Sequence, residues 1–321
     1  MGSRSRAASL LGMAGLVIGV LTAGQGLAAA GTAGAYTCTG TASSPGTLAG
    51  TYASVVVSGA CVVDAGPAVV TGNLTVTGSG SLAAVFGLDD ATGSGNSDLT
   101  VHGNVAVASG GSLMLGCYPK IVTGWADGDE GLVSHPSFPC VDDPAKAAPT
   151  LSTHDVVDGS VTAHSPLGVV LHNTTVRGNI TQAGGGAGLG CVPVGIFKQY
   201  VGFPEYSDFE DNQVSGSLSV TGLDTCWFAT HRNTVRGNLT VSGNTAGRDS
   251  MEVDGNTVLG SQSCQGNSPA VELGDGNGTP DQVAGDASGQ CGFGVILPNP
   301  APGLDVDVTP TYQPAAVHLR G

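Results

Sequence analysis

The stretch NTVRGNLTVSGN, residues 233–244, decides the fold because close copies of it recur along the chain. The copies read AVVTGNLTVTGSG at 68–80, DLTVHGNVAVASG at 98–110, HNTTVRGNITQAG at 172–184 and DNQVSGSLSVTG at 211–222. Repetition of one strand-like unit at about twenty residues predicts a solenoid. The unit is Val-x-Gly-[Asn/Ser], and it starts at Val70, Val101, Val157, Val176, Val214, Val235 and Val258.

The spacing of these units predicts the length of one turn. Successive starts are 31, 56, 19, 38, 21 and 23 residues apart. Intervals of 19, 21 and 23 residues each fit one turn, and 38 residues fits two turns of 19. Intervals of 31 and 56 residues are longer, so they require either extra turns or insertions.

Inside each unit, apolar and polar residues alternate. Val235, Gly237, Leu239 and Val241 face one way, and the polar residues between them face the other. This period of two is typical of a strand with one buried face. Gly and Asn, which tolerate positive φ, then turn the chain. The 53 glycines disfavour long helices.

These patterns predict an all-β fold, a single-stranded right-handed parallel β-helix with about twenty residues per coil, one strand per turn and two long loop insertions. A left-handed hexapeptide helix stays open because Val235 and Val241 are six residues apart. A β-sandwich is the other alternative, although its strands would differ from one another. The predicted core consists of Val70, Leu74, Val76, Val101, Val105, Val157, Val161, Val176, Ile180, Val214, Leu218, Val220, Val235, Leu239 and Val241.

A resemblance adds to this interpretation. The phrases NTVRGNLTVSGNT at 233–245 and GNTVLGSQSCQGNSPAV at 255–271, with SGQC at 288–291, resemble secreted right-handed parallel β-helix repeat proteins of the actinobacterial type. The resemblance covers mainly residues 211–291, and it implies a fold and export rather than an activity. This chain departs from the simple pattern by its two insertions.

Residues 1–35 have the layout of a secretory signal peptide. Arg4 and Arg6 form a basic start, an apolar run follows, and small residues continue to Ala35. The apolar run is short for a membrane span. We therefore expect a mature chain that begins near Tyr36, has no membrane span, and is secreted, with association to the cell wall as a variant.

The cysteines agree with export. An even number of cysteines in an exported chain predicts disulfides, and the absence of close pairs disfavours zinc. In a solenoid, a cysteine reaches partners in its own coil or the next one, so we expect neighbours in sequence to pair. The predicted bridges are Cys38–Cys61, Cys117–Cys140, Cys191–Cys226 and Cys264–Cys291.

The expected organisation is a signal peptide at 1–35, a β-helix domain at 36–291 and a Pro-rich C-terminal tail at 292–321. The insertions are expected at about 117–150 and 191–211, where the sequence does not follow the repeat pattern. Long loops on a rigid scaffold are where binding usually occurs.

The charge of the chain excludes some partners. It has 10 basic and 25 acidic residues, and without Arg4 and Arg6 the balance is 8 − 25 = −17. Such a surface repels nucleic acid and anionic membranes. Polysaccharide or another surface protein is the expected partner.

Aromatic residues concentrate in the insertions, and they have two interpretations. They could form a ligand-binding platform that stacks on sugar rings, or a hydrophobic cluster that fixes the loop to the outside of the solenoid. The second is favoured because an ordered loop must bury something. The candidate ligand-binding residues are Trp125, Phe197, Tyr200, Phe203, Tyr206 and Phe209.

Two acidic, glycine-rich turns suggest calcium, the only cofactor that the sequence indicates. Alternating oxygen ligands are typical of calcium loops, although solvated acidic turns have the same composition. The candidate ligands are Asp127, Asp129 and Glu130 in WADGDEG, and Asp275, Asn277 and Asp281 in GDGNGTPD.

The leading hypothesis is a non-enzymatic, exported β-helix protein of the cell surface or extracellular matrix, which acts in display, adhesion or glycan binding through its insertions. No catalytic residue is assigned. The alternative is a polysaccharide lyase or glycoside hydrolase of the β-helix type, which requires carboxylates to converge. The carboxylates considered for such convergence are Asp89, Asp127, Asp129, Glu130, Asp142 and Asp208.

Overall fold

A computed structural model describes residues 33–85, 97–116, 155–197, 205–247, 251–273, 280–292 and 295–296. Its elements are β-strands, numbered β1 to β28 in chain order. They form three sheets, and every described pair of strands within a sheet is parallel. Among these residues no helix is long and apolar enough to cross a membrane.

The first sheet has ten short strands. In spatial order they are β3 (Gly50–Tyr52), β6 (Ala68–Val70), β9 (Leu99–Val101), β12 (Val156–Val157), β15 (Thr175–Val176), β18 (Gln213–Val214), β21 (Thr234–Val235), β24 (Thr257–Val258), β26 (Gln282–Val283) and β28 (Val295–Ile296).

The second sheet also has ten strands. They are β1 (Ala35–Cys38), β4 (Ser54–Val57), β7 (Leu74–Val76), β10 (Val105–Val107), β13 (Val161–His164), β16 (Ile180–Ala183), β19 (Leu218–Thr221), β22 (Leu239–Ser242), β25 (Gln262–Gln265) and β27 (Ala287–Gly289).

The third sheet has eight strands. They are β2 (Gly46–Thr47), β5 (Ala60–Val62), β8 (Ser81–Val85), β11 (Ser112–Gly116), β14 (Gly168–His172), β17 (Glu205–Glu210), β20 (Trp227–His231) and β23 (Met251–Asp254).

One coil contributes a strand to each sheet in turn, as β21, β22 and β23 show. Strands of successive coils pair in register, so that Leu218 lies beside Leu239. This arrangement confirms the parallel β-helix and excludes the β-sandwich, whose sheets are antiparallel. The handedness of the coil stays a prediction.

The expectation of one strand per turn is wrong, because the coils from β1 to β23 contribute a strand to each of three sheets. The alternation from Val235 to Val241 predicts one continuous strand, but β21 ends at Val235 and β22 begins at Leu239. The residues between them form a corner. The period-two pattern is therefore carried by two short strands with a turn of the backbone between them.

The spacing of the repeats also needs a correction. Val176 pairs directly with Val214, so the interval of 38 residues is one coil with an insertion and not two turns. The longer intervals are single coils as well, because Val101 pairs with both Val70 and Val157. Insertions rather than extra coils account for each long interval.

The apolar core forms as the sequence predicts. Each of the fifteen predicted core residues is buried, with at most 1% of its surface exposed. They belong to one continuous cluster that lies inside the three sheets. On the outside of the second sheet, short side chains stack in a row that is mostly hydroxyl-bearing: Thr75, Ala106, Thr162, Thr181, Ser219, Thr240 and Ser263.

The corner between the first and second sheets explains the Gly-[Asn/Ser] of the repeat. A Cβ built on Gly237 would lie 2.4 Å from Ser217 Oγ and 2.7 Å from the carbonyl oxygen of Gly216 in the coil before, so only glycine fits. The next residue uses its side chain as an acceptor. Ser261 N donates to Asn238 Oδ1 at 2.9 Å, and Asn238 N donates to Ser217 Oγ at 3.0 Å.

A second ladder lies inside the protein, at the corner between the third and first sheets. Asn233 donates its side-chain amide to the carbonyl oxygen of Phe209 at 2.6 Å. Its Oδ1 accepts the backbone N–H of Asn212 at 3.1 Å. Asn233 N donates in turn to Asn256 Oδ1 at 3.0 Å. These fully buried amides satisfy backbone groups that the corner would otherwise leave without partners.

Three of the four predicted disulfides are present: Cys38–Cys61, Cys191–Cys226 and Cys264–Cys291. No cysteine in the described part of the chain is free. Cys117 and Cys140 lie outside the described residues. Bonds of this kind are compatible with an extracellular protein.

Three strands lie at the predicted boundaries, which stay predictions. β1 begins at Ala35, the last residue of the predicted signal peptide. β17 (Glu205–Glu210), a strand of the third sheet, lies within the range predicted for the second insertion. β28 extends the first sheet to Ile296, inside the segment predicted as tail.

The core column supplies the first testable prediction. Leu239→Asp should lower the free energy of unfolding by about 3 kcal/mol or more, because it buries an unpaired charge. Thr240→Asp, one residue away on the outer face, is the matched control and should change it by less than about 1 kcal/mol. Chemical denaturation followed by circular dichroism gives both values. Equal losses in the two variants would contradict the in-register column.

The two ladders supply the second prediction. Asn233→Ala should destabilise the protein by about 2–4 kcal/mol, because it leaves the N–H of Asn212 buried without its acceptor and removes a donor from the buried carbonyl of Phe209. Asn238→Ala removes an acceptor at the exposed corner, where water can replace it, and should cost below about 1 kcal/mol. The same denaturation experiment compares them, and a larger loss for Asn238→Ala would refute this assignment.

Candidate functional site

From β11 onward the third sheet is buried on both faces, unlike the other two sheets. In β11, β14 and β20 every residue is buried, whether its side chain points into the core or away from it. The inward residues belong to the main core, as Leu113, Leu171 and Phe228 do. The outward residues are apolar in part of the earlier coils, as at Met114 and Val170, and become charged from the end of β14 onward. The outward charged residues are His172, Asp208, Glu210, His231, Glu252 and Asp254.

Four of these residues form one column because each occupies the same place in its coil. His172, Glu210, His231 and Asp254 are the last residues of β14, β17, β20 and β23, and they are register partners. The residue that follows adopts positive φ in each coil, for example 51° at Arg232. This left-handed residue turns the chain to the buried ladder position, and it fixes where the column ends.

A parallel column stands two residues earlier on the same face. It contains Asp208 and Glu252, with Ala229 between them in the register. Val170 precedes Asp208 in this column. Because residues i and i+2 of a strand share a face, Asp208 stands beside Glu210 and Glu252 beside Asp254.

Ion pairs link the first half of the cluster. His172 Nε2 lies 2.6 Å from Asp208 Oδ2. Arg232 donates from Nη2 to Glu210 Oε2 at 2.9 Å and from Nε to Asp211 Oδ1 at 2.8 Å. The guanidinium thus spans two carboxylates of the preceding coil with its planar donor set.

His231 is the centre of the second half. Its Nδ1 contacts Asp254 Oδ1, and its Nε2 lies 2.9 Å from Glu252 Oε2 and 3.9 Å from Glu210 Oε1. The contact with Glu252 brings opposite charges together without the alignment of a hydrogen bond, since both atoms have no hydrogen-bond partner. Trp227 donates its indole N–H to the other oxygen of Glu252 at 3.3 Å.

The pKa values of the two carboxyls of β17, Asp208 and Glu210, shift in opposite directions. Burial, together with the neighbouring charge of Glu210, raises the pKa of Asp208 to about 6, although His172 opposes this. Burial also acts to raise the pKa of Glu210, but the positive charges of Arg232, His172 and His231 outweigh it and hold that pKa below its ordinary value. Of the two carboxyls, Glu210 therefore ionises at the lower pH.

His231 is held as a cation. Burial alone would lower its pKa, but the contacts with Asp254 and Glu252 and the charge of Glu210 raise it well above the ordinary value for histidine. An imidazolium in a buried site surrounded by carboxylates offsets part of their charge.

Some oxygens of the cluster are left without hydrogen bonds. Asp208 Oδ1 and Glu210 Oε1 are buried and have no hydrogen-bond partner. Together with His172, these two residues can place one ligand atom each within 4.8 Å of one another, a spacing that fits a metal ion. The arrangement therefore offers two kinds of chemistry: a pair of carboxyls with separated pKa values, or a cation site.

An apolar cluster adjoins the charged one on the outer face. Met114 and Val170 of the sheet pack with Ile196, Phe197 and Tyr206. The segment 184–197, which leaves β16, thus returns to the sheet through Ile196 and Phe197. The Tyr206 hydroxyl donates to the carbonyl oxygen of Val192, and the Cys191–Cys226 bridge ties the segment to the next coil.

The structure places three of the six candidate ligand-binding aromatics. Phe197 and Tyr206 are buried in the outer apolar cluster, and Phe209 is buried in the main core. All three rings are packed against other side chains, and their burial leaves no ring face exposed to a ligand. Trp125, Tyr200 and Phe203 lie outside the described residues, and their role stays a prediction.

Of the six candidate calcium ligands, only Asp281 is described. It is buried at the end of the inner ladder, where its Oδ1 accepts the backbone N–H of Asn256 at 2.7 Å. Its other carboxylate oxygen accepts from the side-chain amide of Gln262. Asp281 is therefore engaged in the ladder. Asp127, Asp129, Glu130, Asp275 and Asn277 lie outside the described residues.

Of the carboxylates considered for convergence, Asp208 is the one that the structure describes, and it joins a cluster that the sequence reasoning missed. An alignment that begins at the valine of each repeat does not reach the charged residues of this cluster. His172, Glu210, His231 and Asp254 each stand four residues before the valine of the next repeat. Extending the alignment by four positions would have placed these residues in one column.

Asp155 closes the base of the first insertion. Its carboxylate accepts the backbone N–H of Gly116, the last described residue before the insertion, and that of Leu99, both at 2.7 Å. Burial, together with the charge of Asp98, raises the pKa of Asp155 to about 8, although the two backbone hydrogen bonds act to lower it. This acidic side chain thus links three points of the chain in adjacent coils.

The chain was compared with known proteins by family model, by curated sequence and by solved structure, and no match was found. The fold and the geometry of the third sheet are therefore the basis for any functional assignment.

Asp155 supplies the third prediction. Because its pKa is raised from 3.8 to about 8 on folding, the folded state holds a proton that the unfolded state releases, and the protein should lose stability as pH rises from about 4 to about 8. In Asp155→Asn this dependence disappears. The unfolding free energy of each protein is measured from pH 5 to pH 8. The difference, wild type minus variant, should fall by a few kcal/mol over this range.

The variant is a close replacement, since asparagine occupies the same ladder position in later coils, at Asn212 and Asn233. Other buried acids, such as Asp281, titrate in both proteins and cancel in the difference. A difference that stays constant with pH would show that Asp155 is ionised in the folded protein.

Proposed function

We propose that the protein is an exported, non-enzymatic β-helix scaffold that acts in adhesion or display at the cell surface, through the segments that leave the coil beside the third sheet. The observation that carries the proposal is a group of three exposed aliphatic residues on one tethered segment. Leu189 is 51% exposed, Val192 70% and Val194 42%. Large apolar side chains grouped on one surface segment are typical of interaction sites.

The tethering supports this use of the segment. The Cys191–Cys226 bridge and the hydrogen bond from the Tyr206 hydroxyl to the carbonyl oxygen of Val192 attach the middle of the segment to the coil. Ile196 and Phe197 are buried at its end. A segment that is ordered before binding loses less conformational freedom when it binds, which favours affinity.

The chemistry of the segment favours a protein partner over a glycan. Sugar rings stack on aromatic faces, and the rings near the segment, Phe197 and Tyr206, are buried. Aliphatic side chains instead match an apolar patch on another protein. We therefore place another surface protein first, with glycan binding through the rings of the first insertion as the second form of the same proposal.

Export is supported by composition and by bonding. The three described disulfides fit an oxidising compartment. The signal-peptide pattern of residues 1–35 and the acidic balance of the chain point the same way.

The charged cluster supports a scaffold more than an enzyme. Asp208 and Glu210 are 1% and 2% exposed, so a polysaccharide chain cannot reach them in this arrangement. An acid or base must come within hydrogen-bond reach of its substrate.

A polysaccharide-cleaving enzyme is the second candidate, and one observation favours it. The pKa of Asp208 is raised while that of Glu210 is lowered, and a pair of carboxyls separated in this way can act as acid and base. This candidate requires that the outer face of the third sheet opens to admit substrate.

The fourth prediction tests the scaffold. Purified protein should sediment with cell-wall fragments that retain their proteins, and less with fragments treated with protease. The combined variant Leu189→Ser, Val192→Ser and Val194→Ser should reduce retention by about tenfold or more. The three substitutions remove apolar area that is buried on binding, and the binding free energy lost with it exceeds about 1.4 kcal/mol. Val56→Ser is the matched control, because Val56 is 37% exposed on the second sheet, and it should bind as wild type does.

Binding by the triple variant at the wild-type level would overturn the assignment to this segment. Retention that survives protease treatment would favour the glycan form. In a parallel assay on pectin, alginate and chitin, products that disappear in Glu210→Gln would establish the enzyme instead.

A further inference from the structure

We propose that His172, Asp208 and Glu210 form a binding site for one divalent ion of the first transition row. The site lies on the outer face of the third sheet, between β14 and β17. The proposal is independent of the adhesion function, since none of the three residues belongs to the segment 184–197.

The three side chains come from adjacent positions of two paired strands. Asp208 and Glu210 share the outer face of β17, and Glu210 is the register partner of His172 in β14. One ligand atom from each can be chosen so that all lie within 4.8 Å of one another. Ligands bound to one ion at about 2.0–2.2 Å are separated by distances of this order, so modest side-chain rotations close the site.

Each of the two carboxylates has one oxygen without a hydrogen bond. Arg232 occupies Oε2 of Glu210 at 2.9 Å, and His172 occupies Oδ2 of Asp208 at 2.6 Å. The remaining oxygens, Glu210 Oε1 and Asp208 Oδ1, are buried and accept no hydrogen bond. Buried carboxylate oxygens are almost always satisfied in folded proteins, so two unsatisfied ones on neighbouring residues of the same face call for a ligand.

The charge balance also favours a cation. Five carboxyl side chains (Asp208, Glu210, Asp211, Glu252 and Asp254) and three basic side chains (His172, His231 and Arg232) make up the described part of the cluster. Acidic side chains thus outnumber basic ones by 5 − 3 = 2 among the described residues. Buried negative charge is unfavourable unless a cation compensates it, so such a cluster attracts a divalent ion.

The donor set selects the class of ion. Calcium and magnesium prefer oxygen ligands alone, whereas an imidazole nitrogen with two carboxylates suits zinc, manganese and iron(II). His231 is not a ligand in this proposal, because its Nδ1 contacts Asp254 and its Nε2 lies against Glu252. Arg232 acts as an outer partner that orients Glu210, the role such residues have around metal ligands.

The test uses the full chain without a histidine tag. The protein is refolded in the presence of Zn²⁺, Mn²⁺ or Co²⁺ and dialysed, and the metal content is measured by elemental analysis. We expect about one ion per chain and a raised unfolding temperature, since an ion that binds only the folded state stabilises it. With Co²⁺, visible absorption bands should report coordination by the protein.

Asp208→Asn and Glu210→Gln are near-isosteric, and each should weaken metal binding by at least about tenfold. Glu210→Gln keeps an oxygen for Arg232, so it stays informative if Asp208→Asn fails to fold. His164→Gln and Asp224→Asn, at exposed positions, are the matched controls and should bind as wild type does.

A wild-type protein that retains no ion after refolding in any of the three metals overturns the proposal. So does a bound ion that remains, with the same affinity and cobalt spectrum, in both Asp208→Asn and Glu210→Gln. Neither result depends on whether the segment 184–197 binds a partner.

Discussion

Each coil must place its corners directly beneath the corners of the next, because parallel strands pair in register over the whole length of a sheet. A corner leaves backbone N–H and carbonyl groups without strand partners, and inside a protein such groups are unfavourable unless they are satisfied. The side chains of Asn233 and Asn256 meet this requirement inside, and Asn238 with Ser217 meets it at the surface. Gly237 is required by the same stacking, since a Cβ there would overlap the coil before.

In-register stacking also concentrates whatever chemistry a coil carries on its outer faces. On the second sheet most outward positions hold short side chains that lie in contact with water, for example Thr181, Ser219 and Thr240. On the third sheet the outward positions are buried, and stacking brings His172, Glu210, His231 and Asp254 into one column. Residues of alternating sign can occupy such a column, whereas like charges at strand separation would repel one another. The cluster is thus a product of register together with burial.

The sequence was sufficient for the parts of the fold that repeat. Fifteen core positions and three disulfide pairs follow from a recurring pattern and from the short reach of a cysteine between coils. It was insufficient where one coil differs from the others. The three-strand coil was missed because a corner at Gly237 does not interrupt the alternation of apolar and polar residues, and β17 was missed because Phe209 and Tyr206 were read as loop aromatics. The charged column could have been predicted from a longer alignment of the repeat. That Glu252 and Asp208 are buried could not, because the sequence does not show that both faces of this sheet are covered.

The two terminal disulfides have a consequence for how the molecule comes apart. In a linear array each repeat touches only its neighbours, so thermal fluctuations open the array most easily from its ends, where a coil has one neighbour instead of two. Cys38–Cys61 joins the first described coils, and Cys264–Cys291 joins the last ones, all four sulfurs being buried within the core. A disulfide at each end prevents the terminal coils from separating, which is otherwise the opening with the lowest free energy. Opening then has to start at an interior interface, where separating two coils exposes both at once, and this makes the whole array behave as one cooperative unit.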